Sequence, residues 1–188
     1  ARHRPTVRHH HPTAQLPLVL QLTTFGGLAL RADDRVLGGA GTQRRPLAVL
    51  AVVAAGGEAG TSRDRVLALL WPDAEPDRAR RALAQALYAL RRDTRAPDLV
   101  VGTLDLRLNP DVVVADTLAF DRAVRAGRPA DAVALHRGPF LDGFTLAGCD
   151  EFERWADEER RRHERRVADL FRALAHGARA RGALDEEV

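Results

Sequence analysis

Five arginines, Arg78, Arg80, Arg81, Arg91 and Arg92, fall within the fifteen residues 78–92, and no acid lies among them. Guanidinium groups at that density do one kind of chemistry well: they donate charge-assisted, often bidentate hydrogen bonds to phosphate oxygens and to the O6/N7 edge of guanine. In the same stretch Leu83, Ala86, Leu87 and Leu90 recur at spacings of three and four, while Arg80, Arg81, Ala84, Gln85, Tyr88, Arg91 and Arg92 fall on other faces. The spacing therefore predicts a helix over 76–93 that packs with one side and meets a polyanion with the other. The competing reading for single residues is plain helix electrostatics. Arg91 and Arg92 complement the negative end of a helix with or without a ligand, and Arg63 and Arg65 solvate the surface of the preceding helix.

Other reactive side chains are sparse and unpaired. Glu151 with Glu153, and His163 with Glu164, are candidate acid–base pairs, but they sit in a charge-dense helical run of the kind that usually forms a solvated face. His136 and His176 have no visible partners, and Cys149 beside Asp150 is the only cysteine. One cysteine excludes an intrachain disulfide and a CxxC metal site, which fits a reducing cytoplasm. The chain has no lysine, so Schiff-base chemistry and the GxxxxGK[ST] phosphate loop are excluded as well. We expect no enzyme, no cofactor and no metal site. His3, His9, His10 and His11 lie among arginines and prolines with no carboxylate or cysteine nearby, and read as part of a flexible tail over 1–17 or as the remnant of a purification tag.

The chain of 188 residues carries a net charge of +3, with 45% hydrophobic and 29% charged residues, as suits a globular protein with a buried core. That charge is unevenly placed. Residues 1–110 hold 16 arginines against 10 acids, whereas residues 111–188 hold 13 against 16. A polyanion partner for the first half and a different role for the second follow from this asymmetry. The apolar run 16–22 is short, is interrupted by Pro17 and Gln21, and lacks a cleavage motif, and no segment approaches the ~20 apolar residues of a membrane span. A cytoplasmic protein without membrane contact is expected.

The elements that would position the arginines are legible in outline. Short alternating runs at 19–24, 28–32 and 35–37, separated by Gly26-Gly27 and Asp33-Asp34, read as a small antiparallel meander. A turn region at 38–41 precedes 46–55, which is almost wholly apolar and reads as a buried helix ending at Gly56-Gly57. Thr61 and Asp64 match a capping box for a helix over 61–70, stopped by Pro72. Runs at 99–101 and 106–108 flank Gly102-Thr103-Leu104-Asp105 as a hairpin. Beyond Pro110 the pattern is helical throughout: Asp116 caps a helix to 125, Pro129 opens another to 135, and a long helix runs from 150 to about 181, with Phe152, Trp155, Val167, Leu170, Phe171 and Leu174 as its apolar face. Residues 157–166 contain no apolar residue, so that segment is expected to be solvated or salt-linked. Residues 182–188 look like the start of a further helix. The fold class is thus α+β: a winged helix-turn-helix over 18–110 with a small antiparallel sheet and a wing hairpin, then an all-α domain over 111–188.

These stretches have a familiar order. GLALR at 27–31, TSRDRVLALLWP at 61–72, RRALAQALYALRR at 80–92 and DLRLNP at 105–110 resemble the OmpR-like winged-helix domain of SARP-type transcriptional regulators. FDRAV at 120–124, RGPFLDGF at 137–144 and EFERWADEER at 151–160 resemble the bacterial transcriptional activator domain that follows it in those proteins. No single motif is very specific; their order and spacing together are.

What the resemblance implies is a sequence-specific transcriptional activator of double-stranded DNA, with the arginine-rich helix in the major groove. The DNA-binding positions would be Arg78, Arg81, Ala84, Gln85, Tyr88, Arg91 and Arg92, with Gln85 as the first choice to read adenine through N6 and N7. Ala84 and the other small residues limit direct base contacts, so specificity would lean on paired half-sites, hence a homodimer, and on DNA shape. At the wing tip, Asp105 is an acid and only Arg107 is placed to reach minor-groove phosphates, so a weak wing contact is expected. Asp73, Glu75 and Asp77 occupy the loop where OmpR-like proteins meet RNA polymerase, and they are equally the acids of turn and capping chemistry. The second half would be a tetratricopeptide-like array that needs neighbouring repeats, from a longer chain or a partner, to cover its open end. The competing class is a protein-interaction scaffold without DNA binding.

Overall fold

The structure, a computed structural model, describes residues 19–32, 35–37 and 44–185, with side chains described up to residue 180. The tail over 1–17 with its histidines, the turns at 33–34 and 38–41 and the last three residues lie outside the described residues.

The chain opens with three short strands, β1 (Leu20–Thr23), β2 (Ala29–Ala32) and β3 (Arg35–Leu37), which pair antiparallel in sequence order as the alternation implied. Leu20 and Leu22 face Ala32 and Leu30 across the ladder, and all four are buried. Helix α1 (Arg44–Ala55) follows, and every residue from Ala48 to Ala54 is buried. A helix apolar all round is stable only when enclosed. Here α1 is the central rod, packed against β4 (Thr61–Ser62), α2 (Arg63–Leu70), α3 (Pro76–Thr94), β6 (Asp105–Leu108) and α4 (Asp116–Arg125).

Strand β5 (Val100–Val101) and β6 form the hairpin, and β4 adds to its other edge, giving a three-stranded sheet in the order β4-β6-β5. The expected capping box at Thr61 is displaced by one residue. Thr61 belongs to β4 and its hydroxyl donates to the Val52 carbonyl at 2.9 Å, so Ser62 caps α2 instead, accepting from the Arg65 amide at 3.2 Å.

Two expectations for the second half need correction. The region beyond Pro110 is not helical throughout: β7 (Val113–Ala115) pairs parallel with β1, Leu20 beside Val113 and Leu22 beside Ala115, so the first sheet runs β3-β2-β1-β7 and is not purely antiparallel. Helix α5 (Pro129–Leu135) and helix α6 (Asp150–Asp185) complete the chain. Residues 182–185 continue α6 rather than opening a new helix, since a glycine inside a long helix costs only about 1 kcal/mol. No described helix is long and apolar enough to cross a membrane.

Asp116 does more than begin α4. Its carboxylate accepts from the amide and hydroxyl of buried Thr24 and from the Phe25 amide, at 2.5 to 3.0 Å, and so fastens the end of β1 to the second half. The Phe25 ring then packs edge-on against Phe120 and Phe140, and the Leu141 amide donates to the Thr24 carbonyl at 2.8 Å. One continuous core results, with residues from both sides of position 110.

Helix α3 ends on Arg95, whose backbone is left-handed with φ at 55°. A side chain with a Cβ pays roughly 1 kcal/mol there that glycine does not. Arg95→Gly is expected to raise unfolding stability by about that amount in urea titration; an unchanged or lowered midpoint would refute it.

Candidate nucleic-acid interface

Helix α3 is built to hold its outer face still. Pro76 sits in its first turn, and the Glu75 carboxylate caps it by accepting from the amides of Asp77 and Arg78 at 3.1 and 3.2 Å. Leu83, Ala86, Leu87 and Leu90 are buried as the spacing required; each buried leucine contributes about 1.5–3 kcal/mol of transfer free energy. At about 100° per residue, Arg78, Arg81, Gln85, Tyr88 and Arg92 fall within an arc of about 80° opposite that stripe, flanked by Ala84 and Arg91. All seven are exposed, Tyr88 at 67%.

The five arginines are not equivalent. Arg80 pairs with Asp77 at 2.7 Å and Arg92 with Asp93 at 2.7 Å, acids just outside the arginine-rich stretch that the composition of 78–92 does not reveal. Arg91 donates to the Val100 carbonyl at 3.2 Å and so ties α3 to the wing. Among the described residues, the Arg78 and Arg81 side chains make no ion pair or hydrogen bond, which leaves them as the unencumbered cations of this face. Exposed ion pairs such as that of Arg80 are worth little, and a phosphate can displace them.

The wing packs tightly on the element before α2. Gly60 has φ at +85°, and a Cβ there would fall 2.3 Å from Arg107 Cγ and 2.4 Å from the Leu106 carbonyl oxygen, so β6 crosses where only glycine fits. Arg107 is exposed on the same face of β6 as Asp105. Arg63, read from sequence as surface charge, is instead a wing clamp: its amide donates to the Leu104 carbonyl at 2.8 Å and its guanidinium to that of Thr103.

Of the acidic loop, Glu75 is engaged as the α3 cap and Asp77 by Arg80, while Asp73 is exposed. Trp71 is partly buried, with the Arg45 guanidinium 5.7 Å from its ring centre.

Of the acid–base candidates, Glu151 pairs with Arg154 and Glu153 accepts from the Leu146 amide at 2.5 Å. Among the described residues, no three His, Cys, Asp or Glu side chains gather as a metal site would require. Cys149 is buried, its thiol 3.3 Å from the Leu70 carbonyl, and burial pushes its pKa up, away from the reactive thiolate. The expectation that residues 157–166 are solvated or salt-linked holds only in part. Arg160, Arg162 and Arg166 pair with Asp157, Glu159 and Asp121, but His163 is 1% exposed, its ring 4.9 Å from Phe25, 5.8 Å from Phe120 and 5.5 Å from Phe140. Among the described residues neither ring nitrogen has a hydrogen-bond partner, so the histidine serves as a core aromatic. The His136 ring also lies against Phe25, tilted at 57° with centroids 4.9 Å apart.

Burial, reinforced by the nearby Arg162 and Arg166, lowers the His163 pKa to about 3. Glu159 lies 3.9 Å from the ring; its carboxylate is paired with Arg162 at 2.7 Å, and burial raises its pKa. The unfolded chain therefore binds a proton below pH ~6.5 that the folded chain refuses, and stability present at pH 7 is lost as pH falls, by up to about 1.4 kcal/mol per pH unit. His163→Leu is expected to flatten that slope: its stability relative to wild type should rise by about 2 kcal/mol between pH 7 and pH 5 in urea titrations. Parallel pH profiles for the two proteins would contradict it.

No family model and no curated protein matches the chain. Among solved structures it is similar to Mycobacterium tuberculosis EmbR, determined in complex with a low-affinity phosphopeptide, at a TM-score of 0.54 and 19% identity, over 90% of this chain and 50% of that one. The chain spans half the length of that protein, and what the two share is the fold: small sheets followed by a helical region.

Proposed function

We propose that this chain is a transcriptional regulator that binds double-stranded DNA with the outer face of α3 in the major groove. The observation that carries the reading is the exposed arc of Arg78, Arg81, Gln85, Tyr88 and Arg92 opposite the buried stripe, with two arginines whose side chains have no ion pair or hydrogen bond among the described residues. The fold likeness to EmbR supports it. Arg78, Arg81 and Arg107 contact phosphates; Gln85 reads a base; Ala84 allows close approach; Arg91 positions the wing. The winged-helix unit spans 18–110 and the tetratricopeptide-like activator region 111–188, and paired half-sites imply a homodimer on DNA. In the acidic loop, Asp73 is the residue left to meet RNA polymerase, since Glu75 and Asp77 hold the start of α3.

A mobility-shift titration with random duplex tests the reading. Three phosphate contacts imply that affinity falls about 40-fold between 50 and 200 mM salt. No shift even at low salt would overturn it and favour a protein-binding scaffold.

A further inference from the structure

Leu104 is the most exposed large apolar side chain among the described residues, at 80%, and it stands at the tip of the wing hairpin. Solvent-facing leucines at loop tips are ordinary when the loop is loose. This one is held. The Arg63 amide donates to the Leu104 carbonyl at 2.8 Å, and the Arg63 guanidinium to the preceding carbonyl, that of Thr103. At the other side of the turn, Gly102 has φ at +98°, and the chain folds back so closely that a Cβ there would lie 1.9 Å from the Asp105 carbonyl oxygen. Asp105 in turn is in register with Ser62 on β4. Val101, 37% exposed, lies just before the turn.

The tip belongs to the same rigid unit as the α3 face, because Arg91, one turn beyond Tyr88, bonds to the Val100 carbonyl at the base of the hairpin. The turn itself carries no cation: the Arg63 guanidinium beside it is engaged by the Thr103 carbonyl, and on the hairpin Asp105 and Arg107, of opposite sign, share one face of β6. The side chain that projects furthest from the tip is apolar, and its ordering cost is already met in the free protein.

We propose that Leu104 is a minor-groove wedge: when α3 lies in the major groove, the leucine enters the flanking minor groove, rests on deoxyribose and base-pair edges, and opens a base step there. This rests on the DNA-binding reading above and adds to it a source of selectivity. Steps that unstack easily, TA and CA/TG, are favoured at the wing over stiff adenine tracts, with no hydrogen bond to a base. The salt dependence of binding is set elsewhere, since the leucine neutralises no phosphate.

The test uses the full chain and two duplexes of about 30 base pairs with equal composition, one with TA steps at regular intervals and the other with adenine tracts in their place, each end-labelled for energy transfer. Wild type is expected to favour the TA duplex by about 10-fold and to bring its ends closer. Leu104→Ala is expected to lose both the preference and the bend while keeping the same slope of log affinity against log salt, and Leu104→Phe to restore them. An alanine variant with wild-type preference and bend overturns the wedge and leaves DNA binding standing, the tip then being a protein contact. Absence of binding by wild type on both duplexes overturns the underlying reading and the wedge with it.

Discussion

Replacing Arg78 and Arg81 together by glutamate is expected to weaken duplex DNA binding by about 100-fold at low salt, and to reduce the slope of log affinity against log salt by nearly 2. These two positions are the clean choice because neither side chain supports the fold: both are exposed, and among the described residues neither makes an ion pair or hydrogen bond. Charge reversal at Arg91 would be harder to interpret, since its 3.2 Å bond to the Val100 carbonyl also positions the wing. The thermal midpoint of the double variant should remain within a few degrees of wild type, as surface substitutions usually change stability by no more than about 0.5 kcal/mol. Equal affinity for DNA, measured by fluorescence anisotropy over a salt series, would show that the outer face of α3 is not the contact surface.

The second large effect concerns Asp116. Truncation to alanine strips the Thr24 amide, the Thr24 hydroxyl and the Phe25 amide of their acceptor at once, and Thr24 and Phe25 are at most 1% exposed, so water replaces the lost bonds poorly. Bonds to a charged acceptor are worth about 1.5–3 kcal/mol each, and breaking a buried network of them is expected to destabilise by about 3–5 kcal/mol. Asp116→Asn keeps one acceptor oxygen and should lose roughly half as much. Because the carboxylate joins β1 to α4, its loss should loosen the packing of Phe25 against Phe120 and Phe140, readable as faster amide exchange in both halves. Exchange that accelerates only near residue 116 would mean the two halves are not held together there.

Local signals gave the helices and the hairpin because each of them satisfies its own backbone and advertises its buried face by spacing. The stripe Leu83, Ala86, Leu87 and Leu90, the apolar run that becomes α1, and the β5–β6 turn at Gly102 are all of this kind. What stayed hidden depends on partners far along the chain. The three residues of β7 are too few to carry a period, and their parallel partner lies more than ninety positions away in β1. Thr61 and Ser62 are equally good caps as letters, and only the Val52 carbonyl decides between them. His163 sits in a run of charge, and its identity as a core aromatic depends on three phenylalanines from three other segments.

The candidate face was legible as a whole but not in its parts. Composition marked the arginines of 78–92, and helical geometry put the chosen residues on the exposed side. Their division of labour was not visible. Asp77 and Asp93 stand immediately outside the stretch, and Arg63, which looked like surface charge, clamps the wing through two carbonyls. Such roles follow from where loops close in space, and no periodicity encodes them.

The most direct measurement places a photo-crosslinking benzoylphenylalanine at Tyr88, in the middle of the exposed arc, and a second at Phe171 of α6, which is 54% exposed and far along the chain from the arginines. With α3 in the groove, irradiation in the presence of labelled duplex joins DNA to the protein modified at position 88 and not to the one modified at 171. Crosslinking through position 171 alone, while both proteins retain affinity for the duplex, would put the DNA on a different surface.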